Sequence, residues 1–392
     1  MICINILVLC NVDLENKWGD YTRVFSLMMS LTKKGHKIFV FVIRSNPKKP
    51  RISYFKEHGI DVIEIHPPSI GISGKQGITR HLNYLTCIPA IQKEASKIIS
   101  KNKIDYIYSY MPGTGSSVPA IIISSKHKIP FILDLADMYS MIRPKMVIKK
   151  SFNKADQIFV ITNYLKNDLI KKEIPQSKIH IIPNGVDLDL FNPNACPNDE
   201  IKKIRHNFQS DKIIVFSGSL QDLNIIINSA KHIIQKIPDV KFVIIGDHRD
   251  PQRSKLMWEK KVQEKNIDKN FVFLGRLLQD EIPKYILSAD ICVDSFPNEP
   301  YYAAAHPIKL LEYGACGKPI VATRVEETSK LVIHGKFGFL ADPSDPNEFA
   351  KYVIQLLNDS NLAESMGNAF LEYIKTNFNW DYLSEKFEKY LI

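Results

Sequence analysis

The chain has 392 residues, of which 45% are hydrophobic and 24% charged, and its formal net charge is +10. This composition is typical of a globular protein and excludes a disordered chain and a small disulfide scaffold. The length favours two or three domains, and the apolar runs fall far short of the roughly 18 residues that span a bilayer.

The excess positive charge lies in the first half of the chain. Residues 1–190 contain 27 Lys and Arg and 15 Asp and Glu, whereas residues 191–392 contain 25 and 27. Basic clusters occur at residues 48–51 and 145–150. A basic half attracts polyanions, which include nucleic acid, anionic lipid headgroups and phosphorylated substrates. Of these, we expect an anionic membrane surface or a phosphorylated substrate, and no nucleic-acid partner. The alternative is a lysine-rich composition with no such partner.

The first residues predict a strand rather than a secretory signal, because no basic residue precedes the apolar run at residues 1–10 and no small-residue cleavage site follows it. The six cysteines show no metal or redox spacing. Both features favour a cytoplasmic protein with reduced thiols.

Strands and helices alternate along the first half. After the first strand, apolar residues recur with helical spacing between Val24 and Leu31, and a buried strand follows at residues 38–43. Further strands are predicted at residues 62–65, 106–109, 131–133 and 157–161. Buried strands that alternate with helices indicate a doubly wound parallel sheet.

The second half repeats this alternation after a turn at residues 183–185 and a segment rich in Pro and Asn at residues 192–200. Its strands are predicted at residues 213–216, 241–245, 271–274, 291–293 and 320–322. We therefore predict two Rossmann-like α/β domains, residues 1–182 and 183–373, and a final helical segment, residues 374–392, that packs back on the first domain. Ligands are expected beyond the carboxyl ends of the strands, in a cleft between the domains.

The most informative local sequence is HPIKLLEYGACGKPIVAT at residues 306–323. It predicts a helix that carries Lys309 and Glu312, closed by glycines and followed by a buried strand. A carboxylate on such a helix can accept two hydrogen bonds from a ribose diol, and free amides at the helix start can hold a phosphate. Taken alone, this pattern favours the alternative that Glu312 is a residue of an exposed helix surface.

Other segments extend the pattern over the whole chain. They are KKGHKIFVF (33–41), IIPNGVDLDLF (181–191), FLGRL (273–277), EIPKYILSADICVDSF (281–296), HGKFGFLADPSDPNEFA (334–350) and NFNWDYLSEKFEKYL (377–391). Together with residues 306–323, and in this order, they resemble the retaining glycosyltransferases of family four. The resemblance implies the GT-B fold and a nucleotide-sugar donor, without a cofactor or a bound metal ion.

The resemblance also implies roles for individual residues. Glu312 matches the carboxylate that holds the donor ribose, and the backbone of the preceding residues would lie against the diphosphate and the sugar. The remaining positions implied for donor binding are Gly19, Gly218, Gly275, Arg276, His306, Pro307, Ile308 and Lys309. Gly275 and Arg276 match the segment that contacts the nucleobase, and Gly19 matches a turn that approaches the diphosphate. Asp134 and Asp137 match the catalytic position on the acceptor side. Both follow the strand predicted at residues 131–133, so we expect them at its carboxyl end.

Three departures from the family pattern affect these assignments. Ala304 stands where the family carries a first Glu, eight residues before Glu312. The stretch at residues 217–223 contains neither the Arg nor the Lys that usually hold phosphate, and Asp134 stands where many members have His. We therefore expect Lys309 to act as the substitute phosphate ligand and as a catalytic residue. The alternative is that Lys309 only pairs with a carboxylate at the surface.

These observations predict an enzyme that transfers a sugar from a nucleotide donor, most simply a UDP-sugar, to a glycan or lipid-linked acceptor in cell-surface polysaccharide or glycoconjugate synthesis. Two alternatives remain open. One is a pseudo-glycosyltransferase subunit that only binds nucleotide or glycan, and the other is a nucleotide-sugar epimerase on the same fold. The predicted location is the cytoplasm, with peripheral attachment to the inner face of the membrane.

Overall fold

The computed structural model describes residues 3–15, 17, 19–44, 51–67, 76–139, 144–248, 250 and 254–391, with the backbone alone for residues 76–80. The chain forms two compact units. The first contains residues 1–184 and 383–392, and the second contains residues 185–382. Among the described residues, no helix has both the length and the apolar character needed to cross a membrane.

Within the described residues, the first unit is built on a sheet of eight strands. In chain order these are β1 (Asn5–Cys10), β2 (Lys37–Ile43), β3 (Ile52–Glu57), β4 (Ile60–Ile65), β5 (Tyr106–Tyr110), β6 (Phe131–Leu135), β7 (Gln157–Val160) and β8 (Ile179–Ile181). Their order in the sheet is β3-β4-β2-β1-β5-β6-β7-β8. All neighbours are parallel except β3, which pairs with β4 in the antiparallel direction.

The helices of this unit connect successive strands. They are α1 (Gly19–Lys33), α2 (Gln76–Leu85), α3 (Ile88–Lys101), α4 (Ser117–His127), α5 (Lys145–Lys154) and α6 (Asn163–Lys171). The central strands are buried on both faces, which explains their nearly continuous apolar runs.

The second unit contains six parallel strands among its described residues. They are β9 (Ile213–Ser217), β10 (Lys241–Ile245), β11 (Phe271–Gly275), β12 (Ile291–Val293), β13 (Ile320–Thr323) and β14 (Gly338–Ala341). Their order in the sheet is β11-β10-β9-β12-β13-β14. Order reverses beside β9, and ligands bind at such a reversal in doubly wound sheets.

The helices of the second unit cover both faces of its sheet. They are α7 (Asn198–Phe208), α8 (Asn224–Lys236), α9 (Lys255–Glu264), α10 (Ile282–Ser288), α11 (Pro300–Ala303), α12 (Ile308–Ala315), α13 (Glu326–Leu331), α14 (Pro346–Asn358) and α15 (Ser360–Asn377). One core contains Ile226, Phe242 and Val353, and the core on the other face contains Leu311 and Phe370.

The last helix, α16 (Trp380–Glu388), begins in the second unit, and from Leu383 its residues belong to the first. Phe387 is fully buried there, with its ring centroid 4.5 Å from that of Phe159. The Tyr106 hydroxyl donates a hydrogen bond of 2.5 Å to the carbonyl of Leu391. The final residues are therefore part of the core of the first unit.

The predicted parallel α/β architecture is confirmed, with differences at four places. The strand predicted at residues 131–133 continues to Leu135, so Asp134 lies inside β6 instead of after it. Strands β3, β8 and β14 were not predicted. β3 is an edge strand whose side chains are exposed or half-buried, and β8 and β14 have only three and four residues, so none of them produces a long apolar run.

Candidate functional site

Three glycines stand at the carboxyl ends of neighbouring strands in the second unit. Gly218 follows β9, Gly246 follows β10 and Gly275 ends β11, with φ angles of +130°, +127° and +71°. The Gly218 amide donates to the Ile245 carbonyl over 2.9 Å, and the Gly246 amide donates to the Gly275 carbonyl over 2.7 Å. A Cβ atom on Gly246 would lie 1.8 Å from the Gly218 carbonyl oxygen. Only glycine fits this turn, and it presents backbone instead of side chains.

Lys309 extends from the first turn of α12 towards the Gly218 turn. Its Nζ donates a 2.7 Å hydrogen bond to Oδ1 of Asp294, the residue directly after β12. The ammonium also lies 4.3 Å from the ring centroid of Phe216 and 4.7 Å from that of Phe296. A Cβ atom on Gly218 would lie 3.3 Å from Lys309 Cε. The sequence-predicted cation and the sequence-predicted glycine are therefore neighbours.

Asp294 is a member of this site that sequence reasoning missed. Its side chain is fully buried, and Oδ2 has no hydrogen-bond partner among the described residues. The Lys309 side chain is only 12% exposed. A buried carboxylate needs a nearby cation, and Lys309 supplies it. The predicted alternative of a surface ion pair does not describe this contact, because both groups are shielded from water.

Tyr313 fixes α12 to the end of β9. Its fully buried hydroxyl accepts a 2.7 Å hydrogen bond from the Ser217 amide. The start of α12 follows Pro307, and the first-turn amides of a helix, here those of Ile308 and Lys309, have no acceptor within the helix. The helix start and the glycine turn thus belong to one rigid assembly that can bind an anion through backbone amides.

Glu312 lies one turn further along α12 and is buried, with 8% exposure. Burial raises the pKa of its carboxyl group to about 7, although the nearby charge of Lys309 acts in the opposite direction. The group can therefore change charge near neutral pH. His306 is also buried, with its ring centroid 5.5 Å from that of Phe378.

Arg276 directly follows β11 and is exposed. Burial alone would raise the pKa of Asp247, but the amides of Lys255 and His248 and the charge of Arg276 lower it. Arg276 is thus close enough to influence the loop after β10. Gly218, Gly275, Arg276, the residues 306–309 and Glu312 all belong to the strand ends or to α12, so the structure brings the predicted donor residues of this unit to one edge of the sheet.

In the first unit, Asp134 forms a buried bidentate ion pair with Arg23 of α1. Arg23 Nε donates to Oδ2 and Nη2 donates to Oδ1, each over 2.7 Å. The Tyr108 hydroxyl donates to Oδ2 over 2.5 Å, and Asp134 is fully buried. The expectation that Asp134 follows its strand is wrong, because the ion pair allows a carboxylate inside β6. The sequence feature that could have indicated this ion pair is the presence of Arg23 within an apolar helix face.

The other two predicted site residues of this unit, Asp137 and Gly19, lie outside the sheet. Asp137 is half-buried just beyond β6, and its Oδ1 accepts a 2.7 Å hydrogen bond from the Met138 amide. Gly19 is exposed and is the first residue of α1, so it begins a helix instead of lying within a turn. The predicted catalytic role of Asp137 and the donor role of Gly19 stay predictions.

The carboxyl edge of the first sheet also holds polar residues that sequence reasoning missed. Asp13, after β1, pairs with Arg44, after β2, over 2.5 Å. His81 Nδ1 lies 3.0 Å from the Thr114 hydroxyl, which follows β5. Polar side chains at this edge can bind a hydroxylated acceptor. In the described ranges, no group of three or more His, Cys, Asp or Glu is placed to hold a metal ion.

Comparison with known proteins agrees with this architecture. The family described as "Glycosyltransferase Family 4" matches residues 22–190, and the family described as "Glycosyl transferases group 1" matches residues 197–371. The chain belongs to this family of glycosyltransferases. Crystal structures of HepE from Anabaena, one in complex with UDP, share the fold, with a TM-score of 0.74, 16% identity and 99% coverage of both chains.

Among curated relatives, an uncharacterized glycosyltransferase of Methanocaldococcus jannaschii is 25% identical over 70% of this chain and 65% of its own length. A putative teichuronic acid biosynthesis glycosyltransferase of Bacillus subtilis is 29% identical over 45% of this chain and 43% of its own length. The matched segments thus span less than two thirds of each of these relatives.

Proposed function

We propose that the protein transfers a sugar from a nucleotide-sugar donor, a UDP-sugar in the first instance, to a glycan or lipid-linked acceptor of the cell surface, with retention at the anomeric carbon. The observation that carries this proposal is the assembly at the carboxyl edge of the second sheet. There, a glycine turn, a helix start and a shielded lysine converge on one place. The UDP bound by HepE and the teichuronic acid relative support the donor and acceptor classes.

In this proposal the site acts by stabilising the leaving group. When the bond between the sugar and the diphosphate breaks, negative charge grows on the phosphate oxygens. The free amides at the start of α12 would face that charge, and Lys309 has three N–H donors, of which Asp294 takes one. Donors fixed in advance do not need to reorganise during the reaction, which makes them effective there. Glu312 would accept hydrogen bonds from the donor ribose.

The first experiment tests the identity of the donor nucleotide and the transfer to an acceptor separately. Calorimetry with UDP, GDP and ADP identifies the nucleotide, and incubation with radiolabelled nucleotide sugars and a membrane lipid extract identifies transfer. We expect nucleotide binding in the micromolar range and labelled lipid or glycan as the product. Transfer that persists in excess EDTA is expected, because the proposed charge stabilisation uses amides and Lys309. Absence of binding to all three nucleotides would reject the proposal.

A pseudo-glycosyltransferase is the second candidate, and two observations favour it. Ala304, fully buried, replaces the first Glu of the family pattern, and Asp294 already compensates the charge of Lys309. Nucleotide binding without transfer to any acceptor in the extract would support this candidate, whereas a changed sugar on the nucleotide would indicate an epimerase.

A further inference from the structure

An apolar groove lies between α4 and α5 in the first unit. Its volume is about 520 Å³, and its apolar lining residues are Val118, Ile121, Ile122, Met146 and Val147. Beneath it, the buried hydroxyls of Ser117 and Ser151 are 2.7 Å apart and connect the two helices. The groove is therefore a feature of two helices that are joined by a polar contact, with space left between their apolar side chains.

Met146 makes this groove unusual for a water-facing surface. Its side chain is 85% exposed, although a methionine gains free energy when it leaves water. It stands on the first turn of α5, beside the open groove. An exposed, flexible apolar side chain next to an unfilled apolar groove is typical of a surface that contacts another apolar phase.

The rim of the groove carries only positive charge. Lys149, Lys150 and Lys154 line it, and Lys145 lies at the start of the same helix. All four are exposed, and none of them forms an ion pair within the part of the chain that the structure describes. The sequences of α4 and α5 contain no Asp or Glu. The basic cluster predicted at residues 145–150 is thus the rim of an apolar groove, while residues 48–50 of the other cluster lie outside the described residues.

We infer that this groove and its lysine rim form the contact site for an anionic phospholipid bilayer. The lysine ammonium groups would lie against lipid phosphates while Met146 and the groove receive apolar lipid tails. A bilayer fits better than a protein partner because the lining contains neither the aromatic residues nor the arginines that dominate protein interfaces. Each lysine near an anionic surface strengthens binding by about 1 kcal/mol, and an apolar anchor provides the second signal.

This inference deepens the proposed function and rests on it for the acceptor. Helices α4 and α5 follow β5 and β6, so they begin at the carboxyl edge of the sheet, where Thr114 and Asp137 lie. A bilayer held there would place a lipid-linked acceptor near the polar residues of that edge. Membrane contact itself can be measured without any sugar transfer.

The test is co-sedimentation of the full chain with phosphatidylcholine vesicles, with and without phosphatidylglycerol, at low and high salt. We expect binding only to the anionic vesicles and a decrease with salt, because screening weakens exposed charges. The double variant Lys149→Glu/Lys150→Glu should bind at least about tenfold more weakly. Its matched control is Lys231→Glu/Lys236→Glu on α8, which changes the net charge equally and should bind as the wild type does.

Variants of Met146 distinguish insertion of an apolar side chain into the bilayer from binding by charge alone. Met146→Asp should also weaken vesicle binding several-fold, whereas Met146→Leu should retain it. Equal sedimentation of the wild type and the Lys149/Lys150 double variant, wild-type binding by Met146→Asp, or no sedimentation at low salt would each overturn the inference. Calorimetry with the nucleotide that the wild type binds should give wild-type affinity for the same variants. A wild type that binds none of UDP, GDP and ADP would reject the proposed function without affecting the vesicle result.

Discussion

At the residue scale, the buried carboxyl group of Glu312 is the predicted ribose ligand, and it lowers the stability of the fold when it is charged. Its pKa of about 7 lies well above that of an exposed glutamate. The folded state therefore binds a proton that the unfolded state has released between roughly pH 4.3 and 7. Because the unfolded state holds fewer protons in this range, the stability contributed by this group falls as the pH rises. The residue is thus kept at the expense of stability, as expected of a ligand-binding carboxylate.

We predict that the free energy of unfolding of Glu312→Gln exceeds that of the wild type at pH 8. Between pH 5 and pH 8, the difference between the two proteins should change by on the order of 2–3 kcal/mol in favour of the variant. At pH 8 the same variant should bind UDP at least about tenfold more weakly, because it lacks the charge-assisted hydrogen bonds to ribose. Urea unfolding at both pH values and calorimetry measure the two effects. Equal UDP affinity in the two proteins would exclude Glu312 as the ribose ligand.

The pair formed by Lys309 and Asp294 supports a double-mutant test. Either Lys309→Met or Asp294→Asn leaves a buried group without its partner, so each should lower the free energy of unfolding by about 3–5 kcal/mol. The double variant should recover at least half of that loss. Catalytic rate should behave differently: both proteins without Lys309 should lose about a hundredfold in kcat, since charge on the phosphates grows as the bond breaks.

Stability and kcat measured on all four proteins complete this cycle. A double variant that regained both stability and kcat would assign Lys309 a purely structural role. A Lys309→Met protein with an undiminished kcat would show that Lys309 does not stabilise the diphosphate, and that the backbone amides do so alone.

Asp137 is the better of the two predicted acceptor-side carboxylates. It is half-buried beyond the end of β6, whereas Asp134 is fully buried inside β6 in a bidentate ion pair with Arg23. We predict that Asp137→Ala lowers kcat by about a hundredfold and leaves UDP affinity and melting temperature nearly unchanged. Wild-type transfer by this variant would move the acceptor site elsewhere.

At the element scale, Arg23 connects three parts of the first unit. Besides the pair with Asp134 in β6, its guanidinium donates to the carbonyls of Ile182 and Pro183 over 3.0 and 3.1 Å. Helix α1, strand β6 and the last residues before the second unit therefore share one buried cation. Such a bidentate contact fixes geometry as well as energy.

Removing that cation should be costly for the fold. We predict that Arg23→Met and Asp134→Asn each lower the free energy of unfolding by about 3–5 kcal/mol, and that Arg23→Met/Asp134→Leu is less destabilised than either. Urea denaturation monitored by circular dichroism provides the values. An Asp134→Asn protein of wild-type stability that cannot transfer sugar would instead favour the catalytic role implied by the family resemblance.

The elements also show what sequence could and could not predict. Buried strands, helix α12 and the family positions Gly218, Gly275, Lys309 and Glu312 were predictable because each leaves a local pattern. The partner of Lys309 was not, since Asp294 is 15 residues away and reaches it only through the packing of α12 beside β12. Arg23 and Asp134 are 111 residues apart, and local spacing says nothing about such a pair.

At the scale of the whole molecule, the first unit depends on residues from both parts of its sequence. Phe387 is fully buried between aromatic rings, with centroids 4.5 Å from Phe159 and 6.2 Å from Tyr108. We predict that Phe387→Ala lowers the free energy of unfolding by about 3–5 kcal/mol. Amides of β5 and β7 should exchange faster with solvent, while those of β9 and β10 keep wild-type rates. Uniformly faster exchange in both sheets would contradict this assignment.

The division of the chain has a consequence for biosynthesis. A ribosome releases protein from its first residue onwards, and domains made of one continuous segment fold as they emerge. The second unit, residues 185–382, is such a segment, and its ends are joined by a 2.9 Å hydrogen bond from the Val186 amide to the Phe378 carbonyl. The first unit lacks Phe387 and Leu391 until residues 383–392 have been translated, after the whole of the second unit. The unit that is translated first is therefore completed last, and until then its incomplete core is a natural substrate for chaperones.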